Sequence, residues 1–214
     1  MGIESHSGKG SPPASARRIV AFDFDGTLTV RDSFIAFLRD TIPPSRLGTG
    51  LIRLAPDLLR YAADQDRERL KTAAVSVWLA GTPAREVEAA AEAFAEKAWA
   101  GLMRPDALAR FEAWGREGAE RVIVTASPEI TIAPFARRLG AERLLGTRLG
   151  LDPSGRLTGA FYGRNCRGQE KVERLREAYG PDVRLRAAYG DTAGDAEMLA
   201  IAEEAGFRVF TGKP

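Results

Sequence analysis

The sequence predicts an α/β protein: a parallel sheet with helices on both faces, interrupted by an all-helical block. Three observations carry that expectation. From residue 119 onward, short apolar runs alternate with stretches of helical periodicity. That alternation builds parallel strands joined by crossover helices. Far upstream, the apolar run Ile19 to Phe22 reads as one more buried strand and ends in two aspartates, Asp23 and Asp25. Between these parts, from about residue 30 to residue 104, only helical patterns occur.

Residues 1–17, rich in Gly, Ser, Pro and Ala with a few basic residues, show no periodicity and are expected to form a flexible tail. After the opening strand, Phe34, Phe37 and Leu38 recur at helical spacing. Pro43-Pro44 stops that helix, and Pro56 is expected to break or start the next. Thr82-Pro83 reads as an N-cap followed by proline at the first helical position, opening a helix through Trp99. Pro105 starts another, stopped near Gly118. Arg121 to Thr125 is the second strand, and Ser127-Pro128 is expected to cap a helix that runs to Leu139 before Gly140. Leu144 to Leu151 and Arg156 to Phe161 read as strands about the turn Asp152-Pro153-Ser154-Gly155. Gln169 to Tyr179 reads as a helix, Leu185 to Tyr189 as a strand, Asp195 to Ala205 as a helix and Phe207 to Phe210 as a last strand. The domain reading is therefore a tail at 1–17, a catalytic core from 18–29 and 105–214, and a helical insertion at 30–104.

Composition narrows the chemistry. The chain has 214 residues, 44% of them apolar, enough for one substantial core or a core with a small accessory domain. The net charge is +2, and the first 18 residues account for it: Lys9, Arg17 and Arg18 against Glu4. The body is neutral and holds no block of like charge, so nucleic-acid binding has no electrostatic footprint. One cysteine, Cys166, excludes an internal disulfide framework and fits a reducing, cytoplasmic compartment. The one histidine, His6, lies in the tail. Serine–histidine catalysis and histidine-bound zinc are thereby set aside, and any metal must rest on oxygen ligands. No apolar run reaches the ~18 residues of a membrane-spanning helix.

Asp23 and Asp25 are two residues apart, and in a continuing strand such residues share a face. Two carboxylates there resist burial unless something compensates, and a divalent cation is the usual compensation. In open parallel sheets ligands bind beyond the carboxyl ends of the strands, where Asp23, Asp25, Thr125 and Asp191 all fall.

Asp23-Phe24-Asp25-Gly26-Thr27-Leu28-Thr29 resembles the first motif of the haloacid dehalogenase-like superfamily, D-x-D-G-T-[LV]-T. Val122 to Thr125 resembles the second motif, a strand ending in Thr or Ser. Lys171 matches the third, and Gly190-Asp191-Thr192-Ala193-Gly194-Asp195 the fourth. The resemblance implies a Rossmann-like core with a helical cap between the first two motifs. It also implies a Mg²⁺-dependent phosphatase that uses an aspartyl-phosphate intermediate.

Under it, Asp23 is the nucleophile, and Asp25 the general acid and base, which also offers its backbone carbonyl to the metal. Thr125 and the amide of Ala126 hold phosphate oxygens, and Lys171 offsets charge between nucleophile and phosphate. Asp191 ligates the metal directly, and Asp195 ligates it through water or orients Lys171. A free aspartate is protonated about one part in a thousand at pH 7, so holding Asp25 protonated costs roughly 4 kcal/mol unless its surroundings raise its pKa.

The run from Thr125 through Ser127-Pro128-Glu129 to Gly140, then Gly159 and Asn165-Cys166, resembles the phosphoserine-phosphatase-like branch, and Cys166 to Val172 the phosphatidylglycerophosphatase C pattern. Asp32 stands nine residues after Asp23, where phosphoserine phosphatases resemble this chain but carry a glutamate that meets the substrate ammonium. Their arginine for the substrate carboxylate appears here as Ala74, so phosphoserine itself does not follow from the resemblance.

A small phosphate ester is the expected substrate, with lipid phosphate hydrolysis at the membrane surface or phosphotransfer between sugars as alternatives. Any membrane contact is expected to be peripheral. Dehalogenation is disfavoured by Asp25, and a non-catalytic binding role by the completeness of the four motifs.

Overall fold

The computed structural model describes residues 18–64 and 67–214, so the expected tail lies outside the described residues. Five parallel strands form the main sheet in the order β3-β2-β1-β6-β7. They are β1 (Ile19–Phe22), β2 (Glu120–Pro128), β3 (Arg143–Thr147), β6 (Leu185–Gly190) and β7 (Ala202–Phe207). The hairpin β4 (Leu149–Leu151) and β5 (Leu157–Phe161) stands apart as an antiparallel pair.

Strand β1 is central, with Ala21 opposite Val122 of β2 on one side and Ala188 of β6 on the other. Its four residues are all buried and alternate between two apolar clusters, as the two-residue period of a strand requires. Val20 and Phe22 join Ile123, Ala187 and Tyr189 beneath helices α5 (Pro105–Arg116) and α6 (Glu129–Leu139). Ile19 and Ala21 join Val122, Val124 and Leu185 against Leu175 of α7 (Gln169–Tyr179) and Met198 of α8 (Ala196–Ala200).

The insertion holds α1 (Ser33–Thr41), α2 (Pro44–Asp64), α3 (Arg67–Leu79) and α4 (Ala84–Leu102). Its two connections to the sheet run side by side. The amide of Val30 donates to the carbonyl of Leu102 at 2.9 Å, and that of Arg104 to Leu28 at 2.9 Å. Phe94 of α4 meets Phe135 of α6 edge-on at 5.9 Å, so the large apolar cluster continues from the sheet into the insertion. Helix α3 packs on β5 at Gly159, whose φ of +86° and lack of Cβ permit it: a Cβ there would lie 3.1 Å from the Ser76 Cα.

Five local expectations are corrected. Pro56 does not break α2, which runs through it. The bond lost at Pro56 would have ended on the carbonyl of Ile52, a residue 76% exposed, where water can take its place. Pro83 is itself the residue preceding α4, and no side chain caps that helix. The expected strand 144–151 divides at Arg148, because β3 stays in the parallel sheet while β4 turns away to pair with β5. Helix α8 covers only Ala196–Ala200, and the last strand begins at Ala202, not at Phe207. Glu203 and Glu204 look helical in isolation, but β7 is an edge strand, where charged side chains reach solvent and find Arg186 and Arg110. Among the described residues, no helix is long and apolar enough to cross a membrane.

Cys166 is fully buried beside Leu145, and burial pushes its thiol up to about 12. The native protein is therefore expected to show no reaction with a disulfide thiol reagent at pH 8, and one equivalent only in denaturant, since the thiolate is the reactive form. Absorbance titration of the released thiol reads this directly.

Candidate active site

The carboxyl ends of β1, β2 and β6, three neighbouring strands, bring the motif residues together. Asp23 follows β1 directly, and its amide donates to the carbonyl of Tyr189 on β6 at 2.9 Å. At the centre is the Nζ of Lys171, from the first turn of α7. It donates to Asp23 Oδ1 at 2.6 Å, Asp195 Oδ1 at 2.7 Å and the carbonyl of Val124 at 2.6 Å. Lys171 is 1% exposed, and these three acceptors match its three donors. Burial works against its charge, but Asp23 and Asp195 outweigh it and hold the ammonium above the ordinary lysine range.

Burial also pushes Asp23 up to about 7, with Lys171 opposing and Asp195 reinforcing the shift. Asp195 goes the other way. Burial acts to raise its pKa, yet Lys171 and bonds from Thr192 hold the carboxyl below its usual range. Its Oδ2 accepts from the amides of Asp191 and Thr192 at 3.2 and 2.9 Å, and from Thr192 Oγ1 at 3.0 Å. Both oxygens of Asp195 are thus engaged in fixing the loop and Lys171.

Asp25 lies where β1 turns away. Gly26 makes that turn with φ +84°, and a Cβ there would stand 2.2 Å from Asp191 Oδ2. Position 26 therefore accepts only glycine, for backbone and for space. Asp25 Oδ1 accepts the Ser33 amide at 2.6 Å, and Oδ2 the Ser127 hydroxyl at 2.5 Å. Burial, then the nearby Asp32 carboxylate, raise the pKa of Asp25.

Ser127, expected as the cap of α6, does not cap it. Pro128 stands at the N-cap, and the Ser127 hydroxyl donates to the Asp25 carboxylate instead, a charge-assisted bond. Thr125 is buried, and its Oγ1 accepts the Ser127 amide at 3.1 Å. The Ala126 carbonyl accepts from Thr147 Oγ1 at 2.9 Å. Asp32 caps α1, its Oδ1 accepting the Ile35 amide at 2.8 Å.

The geometry suits a cation. Carboxylate oxygens of Asp23, Asp191 and Asp195 lie within 4.8 Å of one another. Asp191 Oδ1 is buried with no hydrogen-bond partner, and burial followed by Asp195 raises its pKa. An orphaned buried carboxylate oxygen in an all-oxygen cluster is what a hard divalent ion would complete.

Sequence reasoning did not find Lys71, on α3 of the insertion. Its Nζ donates to the Ala126 carbonyl and to Ser127 Oγ, both at 3.3 Å. The available signal was its spacing: Lys71, Ala74, Val75 and Trp78 share one helical face, and the last three are buried.

Replacing Lys171 by methionine leaves two buried carboxylates without their counter-ion. The expected loss is about 3 to 5 kcal/mol of folding stability, read from denaturant unfolding of Lys171→Met against the parent.

Known proteins resemble this chain along most of its length. The family model described as haloacid dehalogenase-like hydrolase matches residues 20–200. CicA of Caulobacter vibrioides (strain NA1000 / CB15N) is 56% identical over 196 residues, covering 92% of this chain and 88% of that protein. The probable phosphatase Rv3661 of Mycobacterium tuberculosis (strain ATCC 25618 / H37Rv) is 28% identical over 200 residues, covering 89% of this chain and 68% of its own. Among solved structures, a protein of unknown function from Bordetella pertussis Tohama I superposes with TM-score 0.72 at 23% identity, covering 86% of each chain. A phosphoserine phosphatase solved as a phospho-aspartyl intermediate analogue superposes with TM-score 0.58 at 21% identity, over 88% of this chain and 85% of that one. These two structures share the fold. By the family match across most of its length and by its kinship to CicA, this chain belongs to the haloacid dehalogenase-like hydrolases.

Proposed function

We propose that this protein is a Mg²⁺-dependent phosphatase that hydrolyses a phosphate monoester through an aspartyl phosphate on Asp23. The observation that carries the reading is Lys171. Its buried ammonium bonds Asp23 at 2.6 Å, beside an Asp191 oxygen that lacks any partner. Such a group lowers the repulsion between an anionic nucleophile and an anionic phosphoryl group. The name given to Rv3661 and the phosphoserine phosphatase structures support the same reading.

Asp23, Asp191 and the Asp25 carbonyl would hold the cation, with Asp195 behind them. When bound, the ion offsets charge on the phosphoryl oxygens. An Asp23 carboxylate oxygen attacks phosphorus, and the bond from phosphorus to the ester oxygen breaks. Asp25, its pKa raised, gives its proton to that departing oxygen. The product is an acyl phosphate on Asp23 and a free alcohol. Asp25, now a carboxylate, takes a proton from water. The resulting hydroxide attacks phosphorus, releasing inorganic phosphate and restoring Asp23. The Thr125 hydroxyl and Ala126 amide steady the phosphoryl oxygens, Asp32 faces the alcohol, and residues 30–104 act as the cap that excludes bulk water.

A second reading, a lipid phosphate ester cleaved at a membrane surface, is favoured by the outer face of α2. Leu51, Ile52, Leu58 and Leu59 are exposed there, Ile52 and Leu59 by 76% and 75%. Arg46, Arg53 and Arg60, also exposed, recur every seven residues along the same helix, drifting only ~20° per step. An apolar face edged by arginines suits an anionic lipid interface. On this reading the protein co-sediments with phosphatidylglycerol vesicles, less so at 0.5 M salt, and cleaves lipid phosphate faster than soluble esters. Absence of sedimentation together with preference for a soluble ester removes it.

For the main reading, hydrolysis of an aryl phosphate is expected to vanish in chelator and return with Mg²⁺. Asp23→Asn is expected to abolish turnover with the fold kept, because a neutral amide forms no acyl phosphate. Phosphate release and circular dichroism check the two parts, and appreciable turnover by the variant would mean that water attacks directly.

A further inference from the structure

We propose that Lys71 reads the leaving alcohol, and that the alcohol this site prefers carries a second anionic group close to the ester oxygen. The inference deepens the phosphatase reading above and rests on it.

Three facts place Lys71. First, it comes from α3 of the insertion, not from the sheet, yet its half-buried side chain reaches the carboxyl end of β2. Its Nζ lies 3.3 Å from Ser127 Oγ, and that hydroxyl lies 2.5 Å from Asp25 Oδ2. The ammonium is therefore linked to the acid of the mechanism by two hydrogen bonds through one hydroxyl. Second, no carboxylate among the described residues forms an ion pair with it; its two acceptors are a carbonyl and a hydroxyl. An ammonium bonded only to neutral acceptors retains a donor for another anion, while its charge also acts on Asp25 nearby. Third, in-line displacement fixes where the alcohol goes. With Asp23 on one side of phosphorus, the ester oxygen departs on the opposite side, within reach of Asp25. Whatever is bonded to that oxygen therefore extends toward Asp25, Ser127 and Lys71.

Lys171 and Lys71 would thus divide the work. Lys171, bonded to Asp23 and Asp195, serves the nucleophile. Lys71, away from both, meets charge on the alcohol. A carboxylate or a phosphodiester would serve equally, so the shared chemistry is a singly charged oxyanion within a few bonds of the ester oxygen.

The test compares three soluble substrates with similar reacting ends. These are 2-hydroxyethyl phosphate (a neutral alcohol), 2-phosphoglycolate (a carboxylate) and glycerophosphoglycerol phosphate (a phosphodiester). The wild type is expected to favour at least one anionic ester over the neutral one in kcat/KM. Lys71→Ala is expected to lower the anionic-to-neutral ratio by about 10- to 100-fold, the range of a charge-assisted bond at ~1.4 kcal/mol per decade. Lys71→Arg should retain most of the preference, and Lys71→Glu should invert it. Preference for phosphoglycolate identifies a carboxylate, and preference for the diester identifies a headgroup-like anion. An equal loss on all three esters would overturn the proposal, since Lys71 would then be a latch between insertion and sheet or a ligand of the phosphoryl group. A wild type without anionic preference would overturn it as well. A wild type that cleaves neither these esters nor an aryl phosphate removes the phosphatase reading itself, and this inference with it.

Discussion

A single buried ammonium determines much of this molecule. Lys171 is almost fully desolvated, and an unpaired charge in that position would be untenable. Its three partners come from three strands' ends: Asp23 after β1, Val124 in β2 and Asp195 in the loop after β6. Each partner is needed to satisfy the ammonium, so the ends of β1, β2 and β6 must converge on it, as the order β2-β1-β6 allows. Conversely, the two carboxylates are tolerable inside only because the ammonium is there. The pKa directions record this mutual dependence: Lys171 is held charged, Asp195 is held ionised, and burial still leaves Asp23 raised. Asp23 is the strained member of the group, the carboxylate that gains most from a cation or a phosphoryl group.

Around that centre, glycine supplies space rather than flexibility. Gly26 turns the chain after Asp25 and leaves room where Asp191 Oδ2 sits. Gly190 does likewise for Asp195, whose Cβ would lie 2.5 Å from an added methyl. Asp191 can thus approach the first loop, and Asp195 the end of its own strand, without displacing backbone. The same closeness leaves Asp191 Oδ1 buried and without a partner.

The core was legible in the sequence because its signals are local. The apolar run Ile19 to Phe22 is short and buried on both faces, as a central parallel strand must be. The helix Gln169–Tyr179 is bounded by two glycines, Gly168 and Gly180, both with positive φ. The aspartates and Thr125 of the motifs were legible for the same reason, since they lie at or near strand ends, whereas Lys171 follows the glycine that opens α7. What the sequence concealed depends on long-range partners. The preference of Ser127 for Asp25 over its own helix requires knowing that residues 102 positions apart meet. The strand Ala202–Phe207 is hidden by two glutamates whose arginine partners come from α5 and β6. Helix α2 survives Pro56 because the weakened turn faces solvent, and exposure cannot be read from proline itself.

Asp25 occupies the junction between the sheet and the inserted helices. One of its oxygens is held by the first amide of α1, and the other by Ser127 at the end of β2. Lys71 of α3 then reaches the same serine. The chain enters and leaves the insertion through paired bonds at Val30–Leu102 and Leu28–Arg104, and Arg104 Nε returns to the carbonyls of Gly26 and Thr29 at 3.2 and 3.1 Å. The loop that bears Asp25 is therefore tied to the insertion at both ends of the crossing, whereas Asp23 is tied to β6 and to Lys171 of α7, neither of them in the insertion. A displacement of the inserted helices would disturb the hydrogen bonds of Asp25, the proposed acid, and leave those of Asp23, the proposed nucleophile, intact. The two aspartates, two residues apart in sequence, thus answer to different parts of the fold: one to the sheet and α7, the other to the inserted helices as well.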